Sequence, residues 1–356
     1  LRYDNTLQVL KDYCLKTLSY HLNYPLVKPE RINIATTFSC PLNCEMCGIP
    51  EADEGGDELS VYQWKEILKQ TAEWGIGHVS FSGGETMARK EKTLELLRFA
   101  KKLGLEIDLI TNGMFFDDET TKRVLKVGVD RITISVEGST KEKHNSIRGE
   151  GSFESVISTI NKLNKYRHLA DYIEYEFSTV VLNKNYDDLL DIYSLMKSKG
   201  FDFINYQALV PDNSFKKGQD YNDGLWLNKK EADELEETVE ELIRIKEETG
   251  DVRNTKKYLR KMPEYFRKKE TFDYGKCMAA YEVIHIDPYG YIDLCGLGPK
   301  IDVKEKDLRK VWKGKDFNYI REKTKRCSRP CLLLCYRKLD LEDLIKTHLE
   351  ASIADV

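Results

Sequence analysis

The sequence predicts an α/β fold in which six strand–helix units are followed by a small cysteine-bearing C-terminal module. Three observations carry this. From Arg31 to Val210, short runs rich in β-branched and aromatic residues alternate with amphipathic stretches of helical period. Gly75, Gly104, Gly128 and Gly200 close four of those stretches, as glycine does at helix C-termini. The alternation then stops, and five of the nine cysteines fall after Lys276.

"RINIATTF" reads as the first strand and leads into a cysteine loop. Ser60 and Gln63 form a capping box ahead of the helix "VYQWKEILKQTAEWG". Strand "GHVSFSGGE", helix "KTLELLRFAKKLG", strand "LEIDLITNG" and helix "DDETTKRVLKVG" follow, then "DRITISVEG", "FESVISTINKLNKY", "YIEYEFSTVVLN", "YDDLLDIYSLMKSKG" and "FDFINYQALV". Such a succession implies a parallel sheet with right-handed crossovers. The unusual tracts sit at strand C-terminal ends: Cys40 to Cys47, "SGGET", "TNG", "SVEG" and, in the sixth strand, "YQ". One site fed by nearly every strand suits a partial (β/α)6 TIM-like barrel better than the single crevice of a doubly wound sheet. The expected divisions are a helical extension (1–30), the barrel core (31–225), a helical linker (226–270) and the cysteine module (271–356). In the last, "AYEVIHIDPYGYIDLCGLG" signals a hairpin turning at Pro288 to Gly290.

The 356 residues are 33% charged and 41% apolar, enough for a sizeable core. A net charge of −4 with both signs interspersed gives no reason to expect a nucleic-acid or membrane partner. No signal peptide opens the sequence and no apolar run approaches the roughly 20 residues that span a bilayer. The expected compartment is the cytoplasm, where disulfides are rare, so metal or redox chemistry is the better account of the cysteines. Cys14 stands apart, spaced from Leu7, Leu10 and Leu18 as a packed apolar residue of a helix.

"TTFSCPLNCEMCGIP" places Cys40, Cys44 and Cys47 within eight residues. A closed zinc site or a fully protein-ligated iron–sulfur cluster needs four ligands, and the nearest downstream histidine is His78. Three cysteines that merely stabilise a loop, a zinc site with a distant fourth ligand, and a [4Fe–4S] cluster with one open iron are the alternatives.

The tract resembles the signature of radical S-adenosylmethionine (radical SAM) enzymes, and the resemblance runs from about Arg31 to Val210. It implies that SAM's methionine moiety chelates the open iron and that SAM is cleaved to a 5′-deoxyadenosyl radical that abstracts hydrogen. "SGGET" is similar to the family's GGE motif, which implies that Gly83 and Gly84 let the backbone approach the ligand and that Glu85 takes the ammonium. By the match of "ISVEGSTKEKHNSIRGEGSF", Ser135 and Arg148 would hold the SAM carboxylate and Glu137 would lie near the ribose. Asn112 and Gln207 are expected at the ribose or adenine, or else as polar core residues. Met46 stands where the family usually has an aromatic residue.

"GYIDLC" ending at Cys295 resembles the SPASM and twitch extensions of that family, which implies an auxiliary [4Fe–4S] cluster held by Cys277, Cys295 and two of Cys327, Cys331 and Cys335. The last three, read as a helix, would share one face. A zinc knuckle is the alternative. The resemblance further implies a net oxidation with the auxiliary cluster as electron acceptor and a donor such as flavodoxin or ferredoxin. Asp287, Asp293, His285 and Tyr206 are loose candidates for a base. Gly296 stands where sulfatase-maturing relatives have Asp, which argues against that activity. Only about thirty residues precede the barrel, which tilts the expected substrate toward a small molecule such as a sugar or cyclitol. A peptide-modifying maturase is the alternative, and a non-catalytic iron–sulfur redox protein is the alternative of another class.

Overall fold

The computed structural model describes residues 3–49, 56–210, 223–273 and 275–333. An N-terminal helix α1 (Tyr3–Leu22) precedes strand β1 (Arg31–Ala35). Then alternate α2 (Val61–Glu73), β2 (His78–Ser82), α3 (Lys90–Lys102), β3 (Glu106–Thr111), α4 (Asp118–Val127) and β4 (Arg131–Ser135). Two helices, α5 (Lys141–Arg148) and α6 (Ser152–Tyr166), lead to β5 (Glu174–Val181), followed by α7 (Leu189–Ser198) and β6 (Phe203–Ala208). The predicted capping box at Ser60 and Gln63 starts α2, and Gly128 ends α4 with a left-handed φ of 78°.

β1 to β6 pair in parallel in sequence order, Arg31 opposite His78 and Ser135 opposite Ser178. Alternation along each strand splits the sheet into two faces. Ile32, Ile34, Val79, Phe81, Ile107, Leu109, Ile132 and Ile134 are buried on the face that packs against the helices. The inner face carries polar groups, with His78 2.9 Å from Asp108 and Arg131 bonded to Glu174 at 3.1 Å.

The segment 226–270, expected as a helical linker, is helical and packs against the sheet edge. α8 (Lys229–Thr249) and α9 (Lys256–Arg267) bury Leu235, Val239, Leu242, Leu259 and Met262. The chain between them seals the outer edge of β6. Ile204 N–H donates to Asp251 O at 3.0 Å, Asn254 bonds the Tyr206 main chain at 2.8 and 2.7 Å, and Tyr258 Oη accepts from Ala208 N–H at 2.9 Å. An open edge strand is a hazard, and this covering removes it.

The C-terminal segment continues the same sheet. After α10 (Ala279–Glu282), β7 (Val283–Ile286) pairs in parallel with the free side of β1, and the hairpin strands β8 (Tyr291–Ile292) and β9 (Ile301–Asp302) extend it antiparallel. The strand order is β6-β5-β4-β3-β2-β1-β7-β8-β9, with the predicted turn at Pro288 to Gly290 between β7 and β8. α11 (Leu308–Lys313) and α12 (Lys315–Lys325) pack behind. Within that layer Arg321 is fully buried, donating to Ala280 O at 3.1 Å and lying 4.4 Å from the Trp312 ring. Burial pushes its pKa down to about 9.

Cys14 corrects one expectation. It lies exposed on the outward side of α1, in line with Leu10, Leu18 and Leu22, because that helix packs inward through Lys16, Ser19 and Tyr20. Among the described residues no helix is long and apolar enough to cross a membrane.

Because β7 supplies the second hydrogen-bonded neighbour of β1, a chain truncated after Lys269 is expected to lose its cooperative thermal transition in far-UV circular dichroism. A sharp melt of the truncated chain would show that the barrel folds without its C-terminal strands.

Candidate functional site

The site lies at the C-terminal ends of β1 to β5. Beyond the last residue of β1 the main-chain ladder to the β2 side goes on: Thr36 N–H donates to Ser82 O at 3.1 Å, Gly84 N–H to Thr37 O at 2.8 Å and Glu85 N–H to Ser39 O at 2.8 Å. The two glycines permit this. A Cβ on Gly83, whose φ is +132°, would stand 2.3 Å from Thr37 O, and one on Gly84 2.3 Å from Phe38 O. What approaches them in this structure is the backbone of the cysteine loop itself. Lys92 donates to Thr36 O at 3.0 Å and pairs with Glu58 at 3.1 Å, while Glu58 also bonds the Thr37 hydroxyl. Glu58 therefore anchors the loop's start; positions 51–55 of the acidic stretch ahead of it lie outside the described residues.

Cys44 is buried, and Cys40 and Cys47 are half-buried. The loop is pinned from the opposite side by α5, an element that the sequence reading passed over although Thr140 caps it and "EKHNSIRG" spells its turns. Glu45 N–H donates to Ile147 O at 3.0 Å, and Arg148 Nη1 lies 3.8 Å from Cys44 Sγ. Arg148 makes two bonds to Glu137 Oε1, at 2.7 and 3.2 Å. The other Glu137 oxygen accepts Val180 N–H at 2.7 Å, and Glu137 is fully buried. Burial alone would depress the Arg148 guanidinium, but Glu137 overrides it and holds Arg148 charged. Burial pushes the Cys44 thiol up to about 11, with Arg148 pulling the other way.

Glu85 is also fully buried. Its carboxylate accepts from Met87 N–H at 2.9 Å, Thr111 Oγ1 at 2.8 Å and Asn112 N–H at 2.7 Å. The group expected to take an ammonium is thus engaged by protein donors that tie the β2 and β3 ends together. Asn112 Nδ2 stands 3.5 Å from Cys40 Sγ. Ser135 ends β4, and Gln207 lies on β6 opposite Val180; both are half-buried on the inner face.

The three thiols influence one another electrostatically, and two carry an N–H donor at the sulfur. Soft thiolates under such donors are the ligand set of an iron–sulfur cluster. Among the described residues no three His, Cys, Asp or Glu side chains are drawn together tightly enough for a single metal ion.

In the C-terminal part, Cys295 lies in the connection between β8 and β9 with a left-handed φ of 55°, and its carbonyl accepts from Arg329 Nη1 at 2.9 Å. That bond brings the Cys327–Cys331 segment to Cys295. Cys277 precedes α10, and Cys335 lies outside the described residues. The expectation that Cys327, Cys331 and Cys335 share a helical face is corrected for the described part. α12 ends at Lys325 and residues 328–333 are not helical, because Pro330 lacks an N–H and its ring opposes continuation of the helix.

The four loose base candidates have structural roles. Tyr206 is buried with its hydroxyl on Leu189 O at 2.9 Å. His285 lies beside Asn33 at 3.3 Å, and burial depresses its pKa to about 4. Asp287 accepts from Tyr289 and Tyr291 N–H, and Asp293 from Gly296 N–H.

Residues 34–196 match the sequence profile of the radical SAM superfamily. That segment is a radical SAM domain. That family uses a [4Fe–4S] cluster and SAM, and Cys40, Cys44 and Cys47 lie within the matched segment. Over 185 residues the chain is 29% identical to the AdoMet-dependent heme synthase of Methanosarcina barkeri, a match covering 51% of each chain. Over 112 residues it is 38% identical to the PqqA peptide cyclase of Rhodopseudomonas palustris, 31% of this chain and 29% of the cyclase. The matches thus span about half or less of these curated relatives. In fold it is similar to Streptococcus suis SuiB bound to the precursor peptide SuiA, with a TM-score of 0.67 at 19% identity, covering 92% of this chain and 76% of that one. It is also similar to anSMEcpe with bound AdoMet, with a TM-score of 0.62 at 15% identity over 84% and 83% of the two chains. These likenesses cover most of the chain and show its fold.

Two substitutions probe the site's construction. Gly84→Ala forces a Cβ against Phe38 and Ser39 main chain, and should cost about 1–3 kcal/mol as read from urea midpoints. Arg148→Ala strands the buried Glu137 carboxylate and should cost about 3–5 kcal/mol, with a matching fall in thermal midpoint. An unchanged midpoint for Arg148→Ala would mean that Glu137 is not charged in the folded protein.

Proposed function

We propose that this radical SAM chain modifies a peptide by hydrogen abstraction, with Cys40, Cys44 and Cys47 holding the SAM-binding [4Fe–4S] cluster. The observation that carries the reading is the three-cysteine loop clamped between the Gly83–Gly84 backbone and the Arg148–Glu137 pair, with N–H donors on Cys40 and Cys44. When bound, the cluster and SAM supply the 5′-deoxyadenosyl radical, and the protein binds, orients and excludes water.

In this proposal Arg148 stays paired with Glu137 and presents its remaining donors toward Cys44 and the SAM carboxylate. Ser135 and Gln207, on the inner face, are the polar groups available to the rest of SAM. Glu85 acts through the residues it bonds, since most of its acceptor capacity is used. Cys277, Cys295, Cys327 and Cys331, with Cys335 as a further candidate, would hold an auxiliary [4Fe–4S] cluster, which would supply an electron acceptor; a flavodoxin or ferredoxin would be the donor.

Peptide substrate is favoured by the relatives: a peptide cyclase in sequence, and in fold a protein bound to its precursor peptide. The sugar or cyclitol expected from the short stretch ahead of the barrel gains no support from them.

The reading is tested on anaerobically reconstituted protein under dithionite. The wild-type chain should hold about eight irons by two clusters of four, and make 5′-deoxyadenosine from SAM. Cys40→Ala/Cys44→Ala/Cys47→Ala should halve the iron and abolish that product, whereas Cys277→Ala/Cys295→Ala should retain it. Continued SAM cleavage by the triple variant sinks the assignment of the first cluster. Deuterium transfer into 5′-deoxyadenosine from labelled candidate peptides, and none from sugars, decides the substrate class.

A further inference from the structure

Asn112 makes a contact that SAM binding does not call for. It sits at the end of β3, buried to within 6% of full exclusion from solvent, and each of its polar groups has a separate partner. Its main-chain N–H donates to Glu85 Oε2 at 2.7 Å. Its side-chain Oδ1 accepts from Met114 N–H at 3.0 Å. A main-chain N–H can only donate, so that bond fixes which end of the amide is oxygen and turns Nδ2 to Cys40 Sγ, 3.5 Å away. Thr111 reinforces the arrangement, since its hydroxyl donates to Glu85 Oε1 at 2.8 Å and accepts Gly113 N–H at 3.0 Å.

We infer that Asn112 sets the reduction potential of the cluster held by Cys40, through an N–H···S bond whose direction Glu85 and Met114 enforce. This rests on the cluster assignment proposed above. Hydrogen bonds to the sulfurs are among the factors that set an iron–sulfur potential. Reduction adds negative charge that the sulfurs share, so a donor aimed at a ligand sulfur stabilises the reduced state more than the oxidised one. Asn112 therefore raises the potential and eases electron uptake before SAM is cleaved. It acts through Cys40 and is a positioning residue; Glu85 stands one step further back, holding the Asn112 main chain.

The test is a redox titration of the reconstituted full chain, followed by electron paramagnetic resonance, with the cluster of interest identified by its spectral change on adding SAM. Asn112→Asp keeps an oxygen for Met114 N–H but replaces the donor facing Cys40 with an acceptor. Asn112→Ala removes the side chain. Both should load iron like the wild type and titrate at a more negative midpoint, Asn112→Asp the further shifted. A tenfold lower ratio of reduced to oxidised cluster at fixed poise corresponds to about 59 mV for one electron.

A loaded variant with an unchanged midpoint overturns the inference while leaving the proposed function standing. Failure of both variants to load iron also overturns it, because Asn112 would then be a scaffold for Cys40. A wild-type protein with no SAM-responsive cluster overturns the proposed function itself, and this inference with it.

Discussion

The site depends on a main-chain approach that side chains would forbid. β1 and β2 are ordinary parallel neighbours up to Ala35 and Ser82. Beyond Ala35 the ladder persists for three more hydrogen bonds, from Thr36 to Ser82, from Gly84 to Thr37 and from Glu85 to Ser39. Each contributes only about 1 kcal/mol net, so their value lies in geometry: they deliver Cys40 to the inner face on a rigid segment. Gly83 and Gly84 are the condition for it, one by its left-handed φ and both by the space that a Cβ would occupy.

The far side of the loop is fixed by charge. Arg148 and Glu137 are each costly to bury alone and are compensated only by each other and by the hydrogen bonds from Val180 and to the cysteine loop. Such a pair is weak evidence for stability but strong for position: moving Arg148 by an ångström or two forfeits the two-pronged contact and strands a carboxylate. Cys40 is thus referenced to the sheet and Cys44 to α5. That division leaves the two sulfurs under different donors, a neutral amide and a guanidinium.

Much of this was legible in the sequence. The strand–helix alternation was visible because each β-strand buries one apolar face against helices, so Ile32 and Ile34 or Phe81 and Val79 had to appear where they do. The cysteine spacing, Glu85, Asn112, Glu137 and Arg148 were legible as a set. What each touches was not. The Glu85 carboxylate, unpartnered on paper, meets three donors, two of them brought up by β3. The close packing of the glycines on the cysteine loop was not legible because the neighbouring backbone comes from a segment more than forty residues earlier. Two local signals were there to use: Thr140, which caps α5, and Pro330, which breaks the helical spacing assumed for the last cysteines. β7 was hidden for another reason. A four-residue strand after a long helical insertion gives no hint of which edge it will join.

That edge is β1, and the consequence concerns exchange of parts between relatives. β1 is hydrogen-bonded to β2 on one side and to β7 on the other, while Glu30 N–H donates to Glu282 O at 2.7 Å just before it. A chimera that trades the C-terminal region at the boundary near residue 270 would therefore cut through a sheet and not between bodies. Any foreign extension must bring a strand whose register matches Arg31 to Ile34 and a turn that fits the loop at Phe38, where Tyr289 already packs edge-on at 5.8 Å. A foreign segment is then more easily accepted as an insertion beyond the hairpin, with β7 kept as part of the sheet.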